Sequence, residues 1–457
     1  MKSTLPAICS RIIFNNIFIS LPGEQYLLMN LFSFRRTRLS HDEMLELQAT
    51  NLRLAKNLPL SSYTDSLYFR LVREKQILSE ETIKLLDETA RFPMQTFPQP
   101  HVSEATFNLS YECNLNCSYC YQKQYEHADG YISENDVVAI QKFISNINDV
   151  RPAEIMLDNI TITGGEPLLP KTLSTVLAIL KHIPSRNYTL FTNGINIMRY
   201  RNQIPFQHFS HVQVSLDGLQ DIITHISPAA PHNVFYTILD GIEHLLNCGC
   251  TVTINCMMSK GIMSWLESYI QQIEERLHFG DRRLSINIAL PYAFSSHEII
   301  DIQHFDLHEY TAIREYIRQS SHGQYIEIGK PSNFSRLSWL LFRPKNEKQS
   351  IRVKPCPSLD SIPVLFGPNG AVHWCWCIDP CKGRWGDYKE CTIDESYLKQ
   401  VQVRSVFSFE KCSYCDMRYI CSGGCPIPNY VRGNPLLSAN CQEFDNEYMV
   451  DHIEAFL

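Results

Sequence analysis

Cys113-Asn114-Leu115-Asn116-Cys117-Ser118-Tyr119-Cys120 is a C-x3-C-x2-C run, and the reading of the whole chain starts from it. The 457 residues include 17 cysteines, three of them in this run and ten between Cys356 and Cys441. Thiols this close together in one loop favour a shared metal over disulfides. A [4Fe–4S] cube takes one protein ligand per iron. Three thiolates therefore hold three irons and leave the fourth open to a small chelating molecule. A zinc loop is the competing reading, although zinc usually takes four ligands in two pairs.

The surrounding pattern supplies a scaffold. Ala105, Phe107 and Leu109 alternate with polar residues and predict a strand leading into the cysteine run. Helical patterns at 133–146, 171–182, 233–247 and 265–276 alternate with short apolar strands at 159–163, 188–191, 211–216, 251–257 and 285–289. Such alternation implies βαβ units and a parallel sheet, an open or closed α/β barrel over roughly residues 102–330. Three segments then fall at predicted strand ends: Thr163-Gly164-Gly165-Glu166-Pro167, Phe191-Thr192-Asn193-Gly194 and Val214-Ser215-Leu216-Asp217-Gly218. Ligands of α/β sheets sit at the carboxyl ends of strands, and paired glycines let a backbone approach a ligand closely.

The cysteine run, with its aromatic before the third cysteine, resembles the signature of the radical S-adenosylmethionine superfamily, and Gly164-Gly165-Glu166-Pro167 resembles that superfamily's GGEP segment. The resemblance implies an α/β fold with a partial (β/α)6-type barrel. It also implies a [4Fe–4S] cluster on Cys113, Cys117 and Cys120 that binds S-adenosylmethionine at the open iron. Reductive cleavage there gives a 5′-deoxyadenosyl radical, chemistry that belongs to the cofactor while the protein supplies placement. Tyr119 is expected near the adenine, and Gly164, Gly165, Glu166 and Pro167 near the amino group. Thr192, Asn193, Ser215 and Asp217 are expected near the ribose and carboxylate. Many relatives place an arginine soon after the Ser-Leu-Asp-Gly turn. This chain has Ile223-Thr224-His225-Ile226-Ser227 instead, so the partner of the cofactor's carboxylate stays unnamed.

A second cysteine constellation begins at Cys356, continues through Gly370-Ala371-Val372-His373-Trp374-Cys375 and Cys412-x2-Cys415-x5-Cys421-x3-Cys425, and ends at Cys441. It is similar to the seven-cysteine SPASM domain of radical maturases. The resemblance implies two auxiliary [4Fe–4S] clusters, an outer one on Cys412, Cys415, Cys421 and Cys441 and an inner one on Cys356, Cys375 and Cys425. For the inner cluster, either Cys377, Cys381 or Cys391 supplies a fourth ligand or one iron stays open. A zinc ribbon on Cys412, Cys415, Cys421 and Cys425 is the alternative. Cys9, Cys248, Cys250 and Cys256 are read as small packing residues.

The expected organisation is a small α+β, winged-helix-like segment over residues 1–100, the barrel over 101–345, and an irregular cysteine-rich region over 346–457. In the first, residues 25–39 predict two strands with a turn near 31–33. Ser40 and Glu43 form a capping box, and a second helix covers 66–77. The segment is similar to small leader-peptide recognition domains. A three-proline stretch at 92–100 marks the boundary. The net charge of −7, with charged residues at 19% and no basic block, offers no footprint for nucleic acid. No window is apolar enough for a membrane span, and a cytoplasmic setting is expected.

SPASM-bearing relatives mostly modify peptides or proteins, so the expected substrate is a ribosomally made precursor peptide or a protein. The expected products are a thioether or carbon–carbon crosslink, with electrons from a low-potential donor such as flavodoxin or ferredoxin. A sulfatase-activating role is the alternative, but those relatives carry an acid directly after the G-x4-C cysteine. Here that residue is Trp376, with Asp379 and Asp387 as substitutes. An electron carrier or redox sensor is the reading from another class. No catalytic side chain is assigned. If Cys377 or Cys381 ligates iron, its replacement by Ala lowers the iron content of the anaerobically purified protein; unchanged iron and activity in both variants removes that role.

Overall fold

The computed structural model describes residues 16–21, 23–30, 36–56, 58–61, 63–74, 77, 85, 88, 101–120, 122, 129–258, 261–280, 283–289, 307–329, 363–378, 383–413, 422–427 and 438–439. Cys356, Cys381, Cys415, Cys421 and Cys441, the proline stretch and the boundary near 345 all lie outside these residues. The chain divides into two compact units, one of Gln99–Ser332 and Ser361–Leu398, the other of Met1–Pro98, Asn333–Asp360 and Lys399–Leu457.

In the second of these units β1 (Asn16–Leu21), β2 (Gln25–Asn30) and β3 (Arg36–Leu39) form an antiparallel sheet in that order. The two strands expected from residues 25–39 are present, and β1 adds a strand that the sequence did not announce. Helix α1 (His41–Ala55) opens on the expected capping box: the Glu43 N–H donates to Ser40 Oγ at 3.2 Å and the Ser40 N–H to Glu43 Oε2 at 2.9 Å. Helix α2 (Ser66–Arg73) is shorter than expected. Leu28, Leu39, Met44, Leu47, Leu67 and Leu71 close a small apolar core between this sheet and the two helices.

The larger unit is built on a parallel sheet. Strand β4 (Glu104–Asn108) leads to α3 (Glu134–Asn148), β5 (Leu157–Thr163), α4 (Leu173–His182), β6 (Ser185–Thr192) and β7 (His211–Ser215). Next come α5 (Gln220–Ile226), α6 (Val234–Asn247), β8 (Thr251–Met257), α7 (Leu266–Leu277), β9 (Leu284–Ala289), α8 (Leu307–Gln319) and β10 (Ile326–Ile328). Strands β4 to β10 pair in sequence order, all parallel, as βαβ alternation requires. The sheet is open. Beyond β4 it continues into β11 (Val364–Phe366), parallel to β4, and then antiparallel through β12 (Ala371–His373), β13 (Arg384–Asp387) and β14 (Thr392–Ile393). The region expected to be irregular thus supplies four strands to the main sheet. Helix α9 (Glu395–Val403) begins in this unit, and α10 (Glu410–Ser413) belongs to the other. No helix among the described residues is long and apolar enough to cross a membrane.

Register separates the two faces of the parallel sheet, because side chains alternate along each strand. One face carries Phe107, Ile162, Leu190, Val212, Ile254 and Ile286, all buried to 1% exposure or less. The opposite face carries Thr106, Thr163, Thr189, His211, Thr253 and Asn287 among others, most of them half-buried. Hydrogen bonds run across it: Thr189 Oγ1 to Asn159 Oδ1 at 3.1 Å, His211 Nε2 with Thr253 Oγ1 at 3.0 Å, and Asn287 Nδ2 to Asn255 Oδ1 at 2.8 Å. A closed (β/α)8 barrel fills its interior with branched apolar side chains; this sheet instead keeps a polar face able to meet polar ligands.

Phe107 holds β4 to its neighbours on the apolar face, its ring 5.2 Å from that of Phe366 on β11. Phe107→Ala is expected to cost about 3–5 kcal/mol in urea denaturation, while Val138→Ala on the exposed face of α3 stays within about 0.5 kcal/mol.

Candidate functional site

The cysteine run lies between β4 and α3, over the carboxyl ends of the parallel strands. Its start is laid on the Gly-Gly turn. The Gly165 N–H donates to Ser110 O at 2.6 Å and the Glu166 N–H to Glu112 O at 2.8 Å. This is why glycines stand there: a Cβ on Gly164 would meet Ser110 O at 2.7 Å, and one on Gly165 would fall on the Glu112 carbonyl. Lys171 pairs with Glu112 from the start of the next segment.

Three further anchors hold the loop. Asn193 Nδ2 donates to Asn114 Oδ1 at 2.7 Å and lies 3.7 Å from Cys113 Sγ. The end of α5 takes the middle of the loop, with the Asn116 N–H on Ser227 Oγ and the Ser118 N–H on Ile226 O, both at 3.0 Å. The Tyr119 hydroxyl donates to Asp217 Oδ2. Cys113 is exposed, Cys117 and Cys120 are half-buried, and the Leu115 N–H points at Cys113 Sγ from 3.3 Å.

Three soft sulfur donors on one short loop, with N–H groups aimed at one of them, fit an iron–sulfur cube. Among the described residues no three His, Cys, Asp or Glu side chains converge on a single ion. Convergence is not required of a cube, whose thiolates each take a different iron.

Glu166 is the hub beneath the loop, at 1% exposure. Its Oε1 accepts from the Leu168 N–H and Thr192 Oγ1, each at 2.8 Å, and its Oε2 from the Asn193 N–H at 2.7 Å. Burial nevertheless pushes its carboxyl up to about 7, outweighing those three bonds. The expected cofactor residues Gly164, Gly165, Glu166, Pro167, Thr192 and Asn193 thus form one hydrogen-bonded corner with Asn114. Ser215 and Asp217 stand at the end of β7, where burial raises the Asp217 carboxyl. The segment that lacks an arginine after the Ser-Leu-Asp-Gly turn supports the cysteine loop instead, through Ile226 and Ser227.

Beside this corner lies a small cleft lined by Asn108, Gln122, Thr163, His373, Cys375 and Trp376, among others. The Gln122 amide reaches Gly164 O at 3.4 Å. Trp376 stacks on Phe191 with ring centroids 5.7 Å apart. Asn108 Oδ1 and both ring nitrogens of His373 are buried without a hydrogen-bond partner among the described residues. Burial lowers the His373 imidazole to about 4, so it is neutral at ordinary pH.

Of the expected auxiliary ligands, Cys375, Cys412 and Cys425 are described. Cys377 lies against Cys375, and its thiol, together with burial, holds the Cys375 thiol well above its usual range. Cys391 accepts from Asn146 Nδ2 at 2.9 Å. Cys412 is buried on α10. Near Cys425, the buried Arg404 guanidinium donates to the carbonyls of Gly423, Gly424 and Ser438 at 3.2, 3.0 and 2.9 Å. No sequence motif signalled Arg404, and although Asn114 and His373 lie within the quoted cysteine motifs and Ser227 in the segment without an arginine, no spacing gave them a role. Only their chemistry as donors and acceptors near the cysteines could have drawn notice.

Residues 107–265 match the family model described as Radical SAM superfamily. The probable GTP 3′,8-cyclase of Methanocella arvoryzae is 30% identical over 163 residues, 35% of this chain and 49% of that protein. The GTP 3′,8-cyclase of Staphylococcus aureus is 27% identical over 188 residues, 40% and 53% respectively. The chain spans about half the length of the curated relatives it matches. Among solved structures, Streptococcus suis SuiB bound to S-adenosylmethionine is similar with a TM-score of 0.53 at 14% identity, covering 94% of this chain and 99% of that one. Native anSMEcpe with bound AdoMet gives 0.51 at 17%, covering 77% and 97%. At these identities the likeness concerns the fold.

A buried acid that must ionise in the folded state costs stability. For Glu166 the cost is absent below about pH 4.5, grows as pH rises, and is complete above about pH 7. It amounts to roughly 3 kcal/mol at about 1.4 kcal/mol per pKa unit. The melting temperature of the metal-free protein is expected to fall with pH across this window more steeply than that of Glu166→Gln; parallel slopes contradict the assignment.

Proposed function

We propose that the chain, whose residues 107–265 match the family model described as Radical SAM superfamily, cleaves S-adenosylmethionine reductively and uses the resulting radical to modify a ribosomally made peptide. A single observation carries the first half. The loop of Cys113, Cys117 and Cys120 is fastened to the Gly164-Gly165 turn and, through Asn114 and Asn193, to the Glu166 hub. Cys113, Cys117 and Cys120 would hold a [4Fe–4S] cluster, which when bound would supply the electron for reductive cleavage of S-adenosylmethionine to methionine and a 5′-deoxyadenosyl radical.

The chain's own residues do the placing. Gly164 and Gly165 let their turn lie against the Ser110 and Glu112 carbonyls, and this turn would lie beside the amino group of the methionyl moiety. Thr192, Asn193 and Ser215 offer polar atoms to the ribose and carboxylate. Glu166 spends its oxygens on neighbouring N–H and hydroxyl groups and so orients the corner instead of binding directly. Trp376, stacked on Phe191, lines the adjoining cleft, where Asn108 Oδ1 and the His373 ring nitrogens, without partners among the described residues, offer hydrogen bonds to an uncharged group of the substrate. Cys356, Cys375 and Cys425, and Cys412, Cys415, Cys421 and Cys441, would hold two auxiliary clusters, whose chemistry would be to accept the electron released on oxidation of a substrate radical.

Two points support a peptide substrate, and a third concerns which modification it receives. The fold is similar to that of SuiB, which has been solved bound to its precursor peptide SuiA. β1 and β3 form the two edges of the N-terminal sheet, and an extended leader can add to such an edge. Trp376, in place of an acid, disfavours formylglycine formation. The names of the curated relatives raise a nucleotide substrate instead. A triphosphate needs cationic partners, and among the described residues no Lys or Arg lines the cleft.

The test is anaerobic incubation of the reconstituted, dithionite-reduced protein with S-adenosylmethionine, and co-expression with a short precursor peptide encoded beside it. The expected results are 5′-deoxyadenosine, lost in Cys113→Ala, and a peptide lighter by two hydrogens. An unmodified peptide together with conversion of GTP would overturn the peptide reading.

A further inference from the structure

Asp217 follows β7 at 8% exposure, and among the described residues no cation pairs with it. The groups that face it are Tyr119 of the cysteine loop, Cys256 and Met257 of β8, and Tyr269 of α7. Both carboxylate oxygens are engaged by the protein itself. Oδ1 accepts from the Met257 N–H at 2.8 Å and Oδ2 accepts from the Tyr119 hydroxyl. Tyr269 braces the same strand end by donating to Leu216 O at 2.7 Å. A carboxylate placed in this way faces the cysteine loop, with little surface left for a nucleotide.

We propose that Asp217 is a positioning residue that acts through Tyr119. It fixes the phenol, and with it the Cys117–Cys120 arm of the loop, in the shape that receives S-adenosylmethionine. Tyr119 directly precedes Cys120 and has only two side-chain torsions, so a tie at its hydroxyl constrains the neighbouring backbone at small entropic cost. The opposite arm is tied by Asn193 to Asn114 and the middle by Ile226 and Ser227. The Tyr119–Asp217 bond is the anchor nearest the third thiol. It is also a bond between two side chains, so it can be removed without touching the backbone. Preorganising a site in this way raises affinity by lowering the ordering needed on binding.

This inference rests on the radical reading of the site. Its test uses the full chain, reconstituted without oxygen, in wild-type form and as Tyr119→Phe, Asp217→Asn and the double variant Tyr119→Phe/Asp217→Asn. The readouts are melting temperature, iron content, binding of radiolabelled S-adenosylmethionine, and the electron paramagnetic resonance spectrum of the reduced protein with and without that molecule. Tyr119→Phe is expected to bind about tenfold more weakly and to show an incomplete spectral change. Asp217→Asn retains an acceptor for Met257 and a donor for the phenol oxygen, so it should fall between this variant and wild type. The double variant loses the tie without leaving a buried charge, and should fold with iron bound yet share the binding defect. Wild-type affinity and a full spectral change in Tyr119→Phe and the double variant would overturn the proposal. So would a lowered melting temperature with binding intact, which would make the pair purely structural. If wild type itself shows no response to S-adenosylmethionine, the radical reading fails first and takes this inference with it.

Discussion

A loop that is to offer a cluster three ligands and withhold a fourth must hold its three thiols apart. The loop of Cys113, Cys117 and Cys120 has no apolar core of its own among the described residues. It is secured by hydrogen bonds to elements that are themselves buried. The Gly-Gly turn takes its start, Asn193 takes Asn114, the end of α5 takes Asn116 and Ser118, and Asp217 takes Tyr119. Each anchor stands at or near the carboxyl end of a different strand or helix. The geometry of the loop is thus set by the register of the parallel sheet, and errors in strand pairing would be felt at the cysteines.

The two faces of that sheet divide the labour. The apolar face buries Phe107, Ile162, Leu190, Val214 and Ile254 and provides the burial that stabilises the unit. The polar face, from Thr106 across Thr189 and His211 to Asn287, makes bonds from strand to strand and leaves groups such as Asn108 Oδ1 uncommitted. Buried polar atoms without partners carry a cost of about 1–3 kcal/mol each. Among the described residues Asn108 Oδ1 and the His373 ring nitrogens are such atoms, and both residues line the cleft that holds Cys375. Glu166 follows the same logic: its burial is unfavourable for its charge, yet it joins the Gly-Gly turn to Thr192 and Asn193.

Much of this was legible in the sequence wherever chemistry is local. The capping box at Ser40 and Glu43, the βαβ alternation and the glycine turn after β5 all depend on neighbours within a few residues. The anchors were not legible, because they come from chain closure. Nothing local tells Asn193 that it will meet Asn114, or Ser227 that it will meet Asn116. Strand β11 has three residues, too few for a period to register, and its pairing with β4 joins segments far apart in the chain. Helix α5 has seven residues and begins without a side-chain cap, so neither periodicity nor a start signal marked it. Arg404 is buried among the carbonyls of Gly423, Gly424 and Ser438, a setting that no spacing rule reveals.

The central claim is that the three-cysteine loop presents an iron with a vacant position, and that S-adenosylmethionine binds it directly. Electron–nuclear double resonance on the reduced protein, with the cofactor labelled with nitrogen-15 at its amino group, tests this most directly. The account predicts a nitrogen coupling large enough to require an iron–nitrogen bond, absent when Cys113, Cys117 and Cys120 are replaced. A cluster on this loop that shows no such coupling, with the labelled molecule bound, would contradict it.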